Sequence, residues 1–343
     1  MMASGWICSS RARNSALFLI FSGCVMAIPA MKALREHFAD AEITLLVRPW
    51  VAGLFASAPF VDKVWTEPKP VTLTDWTRTA RKIRLGNFDA AVLLPNSFES
   101  ALMTFLAGVP QRIGYATDGR SWMLTTSLKP SREERHQIYY YLDLVKMLRA
   151  EAVQPSIEIS ATAEERAEAR RLLKQGGIPA GTAFLVLNPG AAYGSAKRWY
   201  ADRFVAVANT LSRELNLAVV MIGSEAEAGI AQQVAARITG VTAVTNGKTS
   251  LETLIGILAE SSLMITNDSG PMHIAAALGV PTVAVFGPTD EKATGPIGAH
   301  TRIVKHAVEC SPCLLRECPI DHRCMAGVTV ESVCSAAREL VGV

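Results

Sequence analysis

Several features that would mark a nucleic-acid binder, a membrane-spanning protein or a common nucleotide enzyme are missing from this sequence of 343 residues. Charged residues make up only 19% of it, and 34 Lys and Arg barely outnumber 31 Asp and Glu. A net charge of +3, spread along the chain, is too weak for the basic patch that nucleic acid needs. Neither G-x-G-x-x-G nor G-x-x-x-x-G-K-[ST] occurs, which removes most of the support for a dinucleotide dehydrogenase or a P-loop enzyme. Beyond the amino-terminal run discussed below, no stretch approaches the roughly 20 apolar residues that cross a bilayer. Short-period repeats and low-complexity tracts are absent too. Cysteine is scarce over most of the chain: Cys8 and Cys24 lie near the start, and Cys310, Cys313, Cys318, Cys324 and Cys334 crowd the end. That distribution excludes a disulfide scaffold and reads as a reduced protein with one local cluster.

Half of the residues are hydrophobic, enough to fill two cores, and the length exceeds what one core usually organises. Short apolar runs alternate with helical periodicity, the pattern of parallel sheets covered by helices on both faces. Glu42 to Val47 and Ala90 to Leu94 read as strands, and Val25 to Phe38, Ser97 to Ala107 and Gln137 to Leu148 as helices. The character changes between Ile157 and Gly177, where a charged helix ends in two glycines; we divide the chain into domains 1–160 and 161–343. The second domain repeats the pattern, with strands at Phe184 to Leu187, Ala218 to Ile222, Leu263 to Thr266 and Thr282 to Phe286. Two α/β halves facing each other would form a cleft, with ligands beyond the carboxyl ends of the strands. At the amino terminus, Arg11 and Arg13 precede an apolar run from Ala16 to Met31, and Phe21-Ser22-Gly23-Cys24 resembles a lipoprotein cleavage site. Because Ser22, Gly23 and Pro29 interrupt the run, a buried strand followed by a helix is the reading we prefer.

Three segments of the second domain carry chemistry. Thr266-Asn267-Asp268-Ser269-Gly270-Pro271-Met272-His273 passes from a strand through a small polar turn into a helix. Amide donors at Ser269 and Gly270 would sit at the helix start, where a phosphate is favoured, and Gly270 would let it approach. The plainer alternative is that Asp268 or Ser269 caps the helix; His273, about one turn along, could donate to the anion or be a satisfied core histidine. Asn188 to Trp199 forms a glycine-containing loop that ends in Lys197 and Arg198, and it can wrap a diphosphate with Lys197 supplying charge. Solvated surface cations are the alternative there. Glu225 or Glu227 could accept the hydroxyls of a ribose, although acidic residues also suit helix starts. In the first domain Asn96 and Ser97 could face an acceptor, and a helix cap explains them equally.

These runs, with Leu93 to Leu102 and Val25-Met26-Ala27-Ile28-Pro29-Ala30, resemble the ADP-heptose:lipopolysaccharide heptosyltransferases (glycosyltransferase family 9), closest to the heptosyltransferase II branch. The similarity extends from about Val25 to the carboxyl terminus. It implies a GT-B fold of two Rossmann-like, doubly wound parallel-sheet domains. The second domain would bind ADP-L-glycero-D-manno-heptose, and the first would receive the lipid A inner core. Carried over by motif, Lys197 would hold the diphosphate, Asp268, Ser269 and Gly270 the phosphate turn, Glu225 or Glu227 the ribose, and Thr249 with Leu251 would wall the adenine. The implied chemistry is an inverting displacement that needs no cofactor, carried out by a cytoplasmic protein peripheral to the inner face of the inner membrane.

One part of the resemblance fails. The family's base is an Asp in a Gly-Asp pair just before the Val-Met-Ala-Ile-Pro helix; here those positions are Ser22 and Gly23, and no acidic residue precedes Glu36. Neither side chain can take a proton. A chain that binds an ADP-sugar without transferring it, or one that uses another nucleotide sugar, therefore stays beside the main reading. Lastly, Cys310-x2-Cys313-x4-Cys318-x5-Cys324 has the spacing of a structural zinc loop; reduced cysteines that pack the loop are the alternative.

Overall fold

The computed structural model describes residues 15–20, 23–131, 133–150 and 155–342. It divides into two compact units. One holds the described residues of Met1–Glu133 and Gln137–Pro155; the other holds Glu134–His136 and Ser156–Val343.

The first unit contains strands β1 (Ser15–Ile20), β2 (Glu42–Val47), β3 (Lys63–Thr66), β4 (Ala90–Leu93), β5 (Gln111–Tyr115) and β6 (Thr126–Leu128). Helices α1 (Ile28–His37), α2 (Leu73–Gly86), α3 (Phe98–Ala107) and α4 (Gln137–Lys146) accompany them. All strand pairs are parallel, in the order β3-β2-β1-β4-β5-β6. The apolar run from Ala16 is thus a central strand followed by α1, matching the buried-strand reading, and Cys24 is buried just after it. Arg11, Arg13, Cys8, Phe21 and Ser22 lie outside the described residues.

In the second unit α5 (Ala163–Gln175) leads into β7 (Phe184–Asn188), α6 (Ala201–Leu215), β8 (Ala218–Met221), α7 (Ala228–Ala235) and β9 (Thr242–Val244). There follow α8 (Leu251–Glu260), β10 (Leu263–Asn267), α9 (Gly270–Ala277), β11 (Thr282–Phe286), α10 (Glu291–Thr294), β12 (Thr301–Lys305), α11 (Arg323–Ala326) and α12 (Val330–Val341). The sheet runs β12-β11-β10-β7-β8-β9, again wholly parallel.

Parallel strands need helical crossovers, so both sheet faces are covered and the central strands read as unbroken apolar runs. Every residue of β4, β7, β8, β10 and β11 is buried accordingly. Leu185, Leu187, Val219, Met221, Ile265, Val283 and Val285 pack with Phe204, Leu211 and Val333 of the flanking helices in one core. Each such side chain contributes roughly 1.5–3 kcal/mol by leaving water. Helix boundaries follow local chemistry: Thr72 with Asp75 and Thr162 with Glu165 form capping boxes at the starts of α2 and α5.

Candidate functional site

Each sheet reverses its winding once. In the second unit the first strand, β7, has β8 on one side and β10 on the other, so the crevice at a switch point opens beyond the ends of β7 and β10. The loops that leave those two ends are tied together by buried asparagines. Asn188 donates its amide to Ser269 Oγ (2.8 Å) and to Thr266 Oγ1 (3.2 Å). Asn267 donates to the Pro189 carbonyl (2.8 Å) and accepts from the Trp199 amide (3.0 Å). Between them lies a buried ion pair, Lys197 Nζ to Asp268 Oδ2 at 2.5 Å, and Thr289 Oγ1 donates to the same oxygen at 2.6 Å. Lys197 also lies over the Tyr193 ring, 4.8 Å from its centroid. A buried pair adds little net stability, but it fixes where both charges sit. Asp268 therefore aims the lysine and does not cap the helix.

Ser269 does not cap it either. As the residue preceding α9 it makes no side-chain bond to the helix backbone, and the first turn holds no acidic residue. Pro271 has no N–H and the Met272 amide donates to the Ser269 carbonyl (3.2 Å), so the Gly270 amide is the donor left at the start of α9 beside Lys197, an arrangement that suits a phosphate. A side chain at Gly270 would meet no protein atom within 4 Å, so packing does not demand glycine there. His273 is a neutral imidazole: burial pushes it down to about 4, helped by His136 and Lys197 and opposed by Asp268. It can donate one hydrogen bond to an anion but brings no charge.

The two glutamates after β8 part company. Glu227 Oε2 accepts from the Ser224 amide (2.8 Å) and hydroxyl (2.7 Å), and its carboxylate lies against Gly190 of the β7 loop. Glu225 is exposed and packs against Gly247 instead. Only Glu227 faces the phosphate-side loop. Thr249 and Leu251, both part-exposed, follow β9 at the far end of the same row of loops.

In the first unit the switch point lies between β1 and β4. Gly23 stands just after β1 with φ +65°, and a β-carbon there would lie 2.4 Å from the Tyr141 hydroxyl. Burial pushes both the Cys24 thiol and the Tyr141 phenol up to about 12, so neither accepts a proton as an anion near neutrality. Beyond β4, Asn96 accepts from the Tyr140 hydroxyl (2.8 Å), and Ser97 caps α3 by accepting from the Ser100 amide (3.3 Å). The cap reading is thus correct for Ser97. Both residues also line a cavity of about 690 Å³ with Arg48, Trp50, Lys69 and Glu99, where Glu99 is paired with Arg48. Buried Arg120 braces this turn by donating to the carbonyls of Pro95 and Ser97 and to Ser100 Oγ.

The sequence model described as Glycosyltransferase family 9 (heptosyltransferase) matches residues 76–323. The chain belongs to glycosyltransferase family 9. It is 31% identical to lipooligosaccharide heptosyltransferase 2 of Campylobacter jejuni over 92% of this chain and 94% of that one. The solved structure of Escherichia coli ADP-heptose lipopolysaccharide heptosyltransferase II superposes with a TM-score of 0.81, covering 96% of this chain and 98% of that chain at 23% identity. A family 9 glycosyltransferase from Veillonella parvula gives 0.86, covering 96% and 97% at 23% identity. The fold is accordingly that of the GT-B heptosyltransferases.

Within this family 9 member the cysteine segment departs from the zinc expectation. Among the described residues no group of three or more His, Cys, Asp or Glu is placed to hold a metal ion. Cys310 and Cys313 are exposed, Cys318 Sγ accepts from the His322 amide, and Cys324 is buried in the core beside Met325. The segment instead braces the loop after β7. The Arg316 carbonyl accepts from the Ala196 amide (3.0 Å), Tyr193 donates to the Leu314 carbonyl (2.8 Å), and His322 bonds the Ala196 carbonyl (2.6 Å). Those contacts flank Lys197. Sequence reasoning missed them, along with Thr289, Arg120 and the bonds made by Asn188 and Asn267, because each acts through a partner far away in the chain.

Proposed function

We propose that this glycosyltransferase moves heptose from ADP-L-glycero-D-manno-heptose to the lipopolysaccharide inner core with inversion at the anomeric carbon. The observation that carries this reading is Lys197, aimed by Asp268 and Thr289 beside the uncapped start of α9. An acceptor hydroxyl oxygen attacks the anomeric carbon while the bond to the diphosphate oxygen breaks; the electron pair leaves with ADP, and the hydroxyl proton passes to water. Lys197 and the Gly270 amide offset the charge that develops on that leaving group, so no metal is called for. The acceptor falls to the first unit, whose cavity offers Trp50, 69% exposed, beside Lys69 and Asn96, a lining suited to an acidic sugar. Since that acceptor is lipid-linked, the work is placed at the inner face of the inner membrane. No described helix is long and apolar enough to cross it.

Gly23 supports a second reading, an ADP-sugar-binding protein impaired in transfer, because the proton released by the acceptor finds no carboxylate at this turn. Measuring ADP release with and without a heptosylated lipid A inner-core acceptor decides between them. Acceptor-dependent release upholds transfer; donor binding without release upholds the second reading. Release from a different nucleotide sugar in preference to ADP-heptose would replace the donor assignment.

A further inference from the structure

Beyond the phosphate end of the crevice lies a polar group that the reading above leaves unused. Asn246 follows β9 and is only 5% exposed, yet neither its Nδ2 nor its Oδ1 has a hydrogen-bond partner. Burying a carboxamide with all its bonds unmade is costly, and such a group calls for a ligand or a structural reason. Its neighbours point to a ligand. A β-carbon placed on Gly223, which has φ +145°, would lie 2.5 Å from Asn246 Nδ2 and 3.1 Å from Glu227 Oε2. The amide donor and the carboxylate therefore both lie against Gly223, and a side chain at residue 223 would strike the amide. A β-carbon on Gly190 would in turn lie 2.2 Å from Glu227 Oε1. Ends of β7, β8 and β9 thus meet around one carboxylate and one unpaired amide.

We infer that Asn246 is a specificity-determining residue for the ribose of the nucleotide, working with Glu227 on its two vicinal hydroxyls. This rests on the nucleotide-donor reading. A diol has two protons to give and oxygen lone pairs to fill. Glu227 accepts the protons, and Asn246 Nδ2 donates to one of the hydroxyl oxygens.

The test titrates ADP, 2′,3′-dideoxy-ADP and inorganic pyrophosphate into the full chain and into Asn246→Ala and Asn246→Leu, with thermal melting of each ligand-free protein. Leu keeps the branching of Asn at the γ-carbon without its donor. Both variants should bind ADP about ten-fold more weakly, with affinity for the dideoxy nucleotide and pyrophosphate unchanged. The ligand-free Leu variant should melt no lower than the parent, since it removes a polar group that had no partner. Equal losses for ADP and the dideoxy analogue, an unchanged ADP affinity, or a Leu variant that melts several degrees lower would each overturn the assignment. Should the parent protein bind neither ADP nor pyrophosphate, the donor reading fails first and this inference with it; should it bind both while the variants match it, this inference alone falls.

Discussion

Two switch points on two similar sheets are furnished very differently. At the one between β7 and β10, a lysine, an aspartate, a threonine and two asparagines from separate loops are bonded into one arrangement beside an uncapped helix. At the one between β1 and β4, the loop after β4 lines a cavity, but the turn after β1 offers a glycine under a buried tyrosine and a thiol pushed far from ionisation. The same topology creates a crevice in both places, and only side chains make it a site. The two crevices can therefore be altered one at a time.

Stripping the furnished crevice should have the largest effect. Lys197→Ala is expected to weaken ADP about 100-fold and to destabilise the protein by a few kcal/mol, because Asp268 is left buried without its cation. Calorimetry and urea unfolding read the two effects. Lys197→Ala/Asp268→Ala should recover much of the stability and none of the affinity. Next comes the attempt to furnish the bare turn after β1. Gly23→Asp should cost about 2–3 kcal/mol and leave transfer no faster, since a side chain there takes a left-handed backbone and strikes the Tyr141 hydroxyl. Adding Tyr141→Phe should return part of that loss in thermal melts; full stability for Gly23→Asp alone would show that this turn is roomier than described.

A third effect concerns His273. Its folded value near 4 lies below the unfolded value of 6.5, so its contribution is complete above pH 6.5 and is lost as pH falls toward 4. The loss should be of order 3 kcal/mol, and His273→Gln should flatten that part of the stability profile. The smallest effect sharpens the comparison within one loop: Glu227→Gln should weaken ADP by about ten-fold, while Glu225→Gln should change it less than about two-fold, because only Glu227 faces Gly190. Equal effects in titrations would return the choice between them to where sequence left it.

The central strands were legible because burial on both faces leaves an unbroken apolar run, as in Phe184 to Leu187 and Thr282 to Phe286. The edge strands β3, β6, β9 and β12 were not. They are short or half exposed, so no run of apolar residues distinguishes Lys63–Thr66 or Thr301–Lys305 from a loop. The site showed the same division. Lys197 and the Asp268 turn stood out because local chemistry sets them apart, whereas the partnership of Asp268 with Thr289 spans 21 residues and is visible only once β11 lies beside β10. The cysteine spacing pointed to zinc, but spacing does not say which way each thiol faces; Cys324 went into the core and Cys313 to the surface. Gly23 was recognised as a gap at sequence level, and the reason a carboxylate does not fit there, the Tyr141 hydroxyl, comes from α4 more than 100 residues later.

Everything said of the second unit depends on its crevice holding a pyrophosphate. The most direct measurement is calorimetric titration of ADP into the intact chain, repeated with inorganic pyrophosphate already present. Saturable one-to-one binding that pyrophosphate displaces is the predicted result. No heat of binding with ADP, or binding that pyrophosphate leaves untouched, would contradict it.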